Sequence, residues 1–162
     1  MKRQTSLVIL LTLALNATGF AQNPEWLNYT NGDIVSALVE EGEHIWSATN
    51  GGLVKINKSS GQTTFYNSSN SGLPIHHVSS IAIDANGGKW IGTGNQHSGV
   101  AGGLAFFDGS NWTVFDSSNS DLPDNMIRSI SIDSHGNKWI GTSGGLAVFN
   151  DTTWVIYNES NS

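Results

Sequence analysis

The side chains best equipped to grip a ligand fall in three short stretches: His76-His77, the run Gly94-Asn95-Gln96-His97-Ser98-Gly99-Val100-Ala101, and Arg128. Imidazole, carboxamide and guanidinium groups offer donors to a polar molecule, and arginine adds a fixed charge. Neighbouring histidines in extended chain project to opposite sides, so His76 and His77 cannot hold one metal side by side, and a third ligand is missing. Asp84-Ala85-Asn86-Gly87 and Asp133-Ser134-His135-Gly136 stop short of the oxygen spacing of a calcium loop, and hairpin-turn chemistry accounts for both. Asp108-Gly109-Ser110-Asn111 reads likewise as a turn. Gly92-Thr93-Gly94 lacks the helix a phosphate cradle requires. Glu40 and Glu41 are the carboxylate pair that stands out, in or beside a hairpin turn. No catalytic residue, metal site or cofactor is expected from these patterns.

The elements that must carry these residues are announced by a repeat. Trp46-Ser47-Ala48-Thr49-Asn50-Gly51-Gly52-Leu53 returns as Trp90-Ile91-Gly92-Thr93 with Gly102-Gly103-Leu104, and again as Trp139-Ile140-Gly141-Thr142-Ser143-Gly144-Gly145-Leu146. Trp112 and Trp154 stand 42 residues apart, as Trp90 and Trp139 would without a seven-residue insertion placed within 94–101. A period near 40 to 45 residues marks an array of small sheets. In the third unit, Ile127 to Ile132 alternates with β-branched residues, Lys138 to Thr142 follows a turn containing Gly136, and Leu146 to Phe149 and Thr153 to Tyr157 complete four short strands. Four hairpin-linked antiparallel strands at this period form one blade of a β-propeller. Gly92 and Gly141 then fall where a neighbouring blade must approach closely, and Trp46, Trp90, Trp139, Trp112 and Trp154 fall at repeated packing positions. The indoles could stack on sugars, but packing is the simpler expectation for all six.

Leu73-Pro74 and Leu122-Pro123, the Ser-Ile-x-Ile-Asp strand, the Asp-x-x-Gly turn, Trp-Ile-Gly-Thr and Gly-Gly-Leu together resemble the two-component regulator propeller repeat. That resemblance implies the periplasmic sensor region of a hybrid histidine kinase or a related secreted protein. It spans essentially all of the chain after residue 21, with Ser47-Ala48 in the first unit replacing Ile-Gly.

The expected organisation is a signal peptide over 1–21, then a partial, all-β, open propeller over 22–162. Lys2 and Arg3, the apolar stretch Leu7 to Leu15 and the small residues before Gln22 carry the first expectation, with cleavage near Ala21 and a secreted or periplasmic destination, free of membrane insertion once cleaved. Blades are expected at about 31–71, 72–120 and 121–162, with 26–29 an outer strand lacking a blade of its own. Closure needs about four to eight blades, so further blades are expected beyond Ser162, in preference to a ring of two copies. Removing Lys2 and Arg3 leaves five basic against thirteen acidic residues, a net of −8, which excludes an electrostatic footprint for nucleic acid. The absence of cysteine excludes disulfides and thiol chemistry.

In this blade order the loops joining strand four to the next strand one, and strand two to strand three, share a rim. His76, His77, Asn95, Gln96, His97 and Arg128 depart from the repeat on that rim, and are the candidate face for a small-molecule or oligosaccharide ligand. The reading is a noncatalytic sensing or binding module. A propeller enzyme, a lyase or glycoside-active protein completed by other blades, is the alternative, and a structural or adhesive repeat protein a third.

Overall fold

The computed structural model describes residues 34–161, so the signal segment 1–21 and the strand at 26–29 lie outside the described residues. Twelve strands form three four-stranded antiparallel sheets, each running in chain order from an inner to an outer strand. The first holds β1 (Val35–Glu41), β2 (His44–Thr49), β3 (Gly52–Asn57) and β4 (Thr63–Tyr66). The second holds β5 (Val78–Ile83), β6 (Lys89–Asn95), β7 (Val100–Phe107) and β8 (Trp112–Phe115). The third holds β9 (Ile127–Ile132), β10 (Lys138–Thr142), β11 (Gly145–Phe149) and β12 (Trp154–Tyr157). Inner strands β1, β5 and β9 meet in sequence, so the sheets fan out as blades of an open propeller arc. Register repeats across blades: Ala37 faces Ala48, Ser80 faces Gly92 and Ser129 faces Gly141.

Each blade is too thin to own a core, and the apolar mass lies between blades. Trp46, Ala48 and Leu53 of the first blade pack with Ile81, Ile91, Ala105 and Phe107 of the second. Trp90 and Leu104 pack in the same way with Ile127, Ile140, Ala147 and Phe149 of the third. The connectors insert a plug into each seam: Leu73 and Leu122, which precede the prolines, are both buried there. Gly92 is the tight point. A Cβ on it would collide with Ser80 Oγ and lie 2.5 Å from Ile127 Cγ2, so the third blade reaches its seat only because this residue has no side chain.

Polar contacts lock the seams at the rim of the 1–2 turns. The indole on the second strand of each blade donates to a carboxylate ending or following its inner strand: Trp46 Nε1 to Glu41 at 2.7 Å, Trp90 Nε1 to Asp84 at 3.0 Å and Trp139 Nε1 to Asp133 at 3.0 Å. The two lysines preceding Trp90 and Trp139 reach back over the preceding blade. Lys89 Nζ lies 5.2 Å from the Trp46 ring centroid and Lys138 Nζ 4.9 Å from that of Trp90, a cation–π latch across each seam. Lys89 also bridges to Glu41 at 2.6 Å, whereas Lys138 pairs with Asp151 of its own blade.

Two features add detail to the sequence expectations. Trp46 and Trp90 are 2% and 3% exposed, but Trp139, at the same repeat position, is 38% exposed, because its face of the third blade has no neighbour among the described residues. Part of the insertion continues the strands: Gly94 pairs with Ala101 and Asn95 with Val100, after a bulge beside Thr93. It lengthens the β6–β7 hairpin so that its tip stands above the rim.

Candidate functional site

The site sits at the inner end of the arc, on the rim opposite the lysine latches. Three equivalent positions at the start of the inner strands converge there, Ser36, Ser79 and Arg128, one from each blade. With Ile34, His77, Gly94, Asn95, Gln96 and His97 they line a depression of about 290 Å³. The extended hairpin overhangs it, supplying Asn95, Gln96 and His97 from its tip. A backbone bond from Gly94 N to His77 O, 3.2 Å, ties the hairpin to the connector that precedes β5. Equivalent bonds link Asn50 N to Ile34 O and Ser143 N to Met126 O, and Gly103 N donates across to Asn125 O of the next connector, so connectors and 2–3 hairpins do share a rim.

Five of the six residues singled out from sequence meet in this depression: His77, Asn95, Gln96, His97 and Arg128. His76 does not. It lines a separate small pocket of about 120 Å³ with Ile75, His77, Asn95, Ser98 and Val100, on the other side of His77. Two serines that the sequence reading left out belong to the site. Their signal was present, since Arg128 aligns with Ser79 and Ser36 at the mouth of each inner strand.

The donors are oriented by local bonds. Asn95 Oδ1 accepts from the backbone N–H of His97 at 2.9 Å and of Ser98 at 3.3 Å, which fixes the hairpin tip and turns the amide NH₂ away from that turn. Arg128 Nε donates to Ser143 Oγ at 3.2 Å, steadying the guanidinium while leaving its two terminal nitrogens for another acceptor. Ser79 Oγ donates to Ile127 O at 2.6 Å, joining the second and third blades beneath the site. His77 Nδ1 is buried with no hydrogen-bond partner. No lining residue is aspartate or glutamate, and no group of three metal-ligating side chains occurs among the described residues.

The family profile of the two component regulator propeller matches residues 121–144, which cover β9 and β10 with their flanking turns. Among solved structures, the chain is similar to the extracellular domain of a protein assigned as the hybrid two component system BT3049 from B. thetaiotaomicron, with 27% identity and a TM-score of 0.65 over 78% of this chain and 17% of that one. It is similar to the extracellular domain of BT4673, assigned in the same way and from the same organism, with 28% identity and a TM-score of 0.54 over 70% of this chain and 15% of that one. A third likeness, to PorZ, a surface component of the type-IX secretion system of Porphyromonas gingivalis, has 19% identity and a TM-score of 0.57 over 74% of this chain and 18% of that one, and concerns the fold alone. The chain thus spans about a sixth of the length of the extracellular domains it matches. No curated protein matches it.

Proposed function

We propose that this chain, an arc of two-component regulator propeller repeats, is a noncatalytic binding module that acts outside the cytoplasm and presents a ligand to the mouth of its inner strands. One observation carries the reading: five of the six singled-out residues that break the repeat gather in one depression, whereas those that keep it pack between blades wherever a neighbouring blade is present. Packing explains a repeated tryptophan or glycine in full. It does not explain Arg128 where the other blades have serine, or a hairpin lengthened in one blade of three. Loops held by a rigid scaffold are the usual place for recognition. The two extracellular domains with 27% and 28% identity support a location outside the cytoplasm, and the apolar segment at 7–15 supports export.

The test is saturation-transfer NMR of the purified chain against maltotriose, N-acetylglucosamine, galactose and glucuronate, followed by titration of any binder with the His97→Ala/Arg128→Ala variant. The expected outcome is at least one saturable ligand whose affinity drops roughly tenfold or more, the worth of about one charge-assisted pair. Failure of every probe, or an affinity indifferent to both substitutions, removes the reading.

A further inference from the structure

The geometry points to an anionic group, a carboxylate or sulfate on a molecule of single-sugar size, as what the inner-strand depression takes. The inference rests on the depression being a ligand site and adds the chemistry that would select the ligand.

Charge accounting comes first. The chain carries a formal net charge of −6, yet among the described residues the depression's lining has no acidic side chain and one fixed positive one, Arg128. Five lysines and arginines lie among the described residues. Lys58, Lys89 and Lys138 pair with Glu40, Glu41 and Asp151, and Lys55 stands 5.4 Å from the Trp46 ring centroid. Arg128 alone among them has neither a carboxylate nor a ring, and is held through Nε to Ser143. A guanidinium fixed at Nε presents its remaining N–H groups as a planar fork, the geometry that matches two oxygens of one carboxylate or sulfate.

The neighbouring groups add donors. The Asn95 carbonyl is used by two backbone N–H groups, so that side chain offers its NH₂. His97 and Gln96 complete a wall able to donate from several directions. A volume of about 290 Å³ suits one sugar acid or sulfated sugar, with the rest of a longer ligand outside.

The experiment is a ¹H–¹⁵N NMR titration of the full chain with sodium glucuronate, sodium sulfate and glucose, at constant ionic strength set with sodium chloride. Saturable shifts at the amides of His77, Ser79 and Gly94 to His97 and at Arg128 Nε are expected with glucuronate, sulfate or both, and not with glucose. A response to glucuronate alone identifies carboxylate as the group recognised, and a response to sulfate alone identifies sulfate. Arg128→Gln should weaken the response roughly tenfold or more. Asn95→Asp is a second variant that keeps the oxygen capping the hairpin tip but replaces the donors by a negative charge, and it should abolish the response. Glucose or another neutral sugar shifting the same amides as strongly as the anions would overturn the anion inference while leaving the binding module standing. Silence from both anions, with a neutral ligand found elsewhere in the panel, would do the same. Silence from every probe would remove both.

Discussion

At the scale of single residues, Gly92 and Glu41 carry more of the seam between blades than their types suggest. Gly92→Ala places a methyl against Ser80 Oγ, which can rotate aside, and against Ile127, whose Cβ would stand 3.0 Å away and cannot withdraw without moving an inner strand. Overpacking of this kind costs about 1 to 3 kcal/mol, and should appear as a lower urea midpoint at unchanged m-value. Glu41 faces opposing influences. Partial burial raises its pKa, but the hydrogen bonds from Lys89 and Trp46 prevail, and the carboxyl is held below its ordinary 4.5. A depressed folded-state pKa means the contribution is present in full above the unfolded value and is lost as pH falls from about 4.5 through the folded one. The melting temperature should therefore decline on acidification below that point. Glu41→Gln should melt lower at neutral pH and show a shallower acid decline, and an equal decline in both proteins would exclude Glu41 as a contributor.

At the scale of elements, the hairpins were legible because period-two alternation and turn residues are local properties. Ile127 to Ile132 and Lys138 to Thr142 occupy the strands their pattern indicates, and β11 and β12 differ from expectation by one residue at their starts. The lysine latch was not legible. In a single strand, Lys89 and Lys138 read as polar punctuation before tryptophan, and their role exists only once the preceding blade supplies a ring beneath each ammonium. Blade one, with Ile45 at the same position, has no such latch. The site was legible as departures from the repeat, but its inclusion of Ser36 and Ser79 depended on three inner strands converging in space. Lys89→Met tests the latch. The stem still fills the seam, but Glu41 loses its cation, and since that carboxylate is about one-third exposed the cost should be about 1 to 2 kcal/mol. Thermal unfolding followed by circular dichroism would read it, and an unchanged midpoint would show that the latch is dispensable.

At the scale of the whole molecule, the same indole has two different values depending on its neighbours. Trp90 sits in a complete seam, ringed by Phe106, Phe115 and Phe149, while Trp139 lies on an open face with Val155 and Tyr157 also exposed. Trp90→Ala should cost about 3 to 5 kcal/mol. Trp139→Ala should stay within about 1 kcal/mol and should also reduce self-association in light scattering, since it trims an apolar face. Equal losses at both positions would mean that the third blade's outer face is covered in solution. The arc itself leaves a gradient. The middle sheet leans on a neighbour at each side, whereas the outer two lean on one each among the described residues. Stability in such stacks is set by nearest neighbours. Backbone amides of Trp90 to Thr93 should therefore exchange for deuterium last, with uptake spreading outward from the two flanks before the centre gives way.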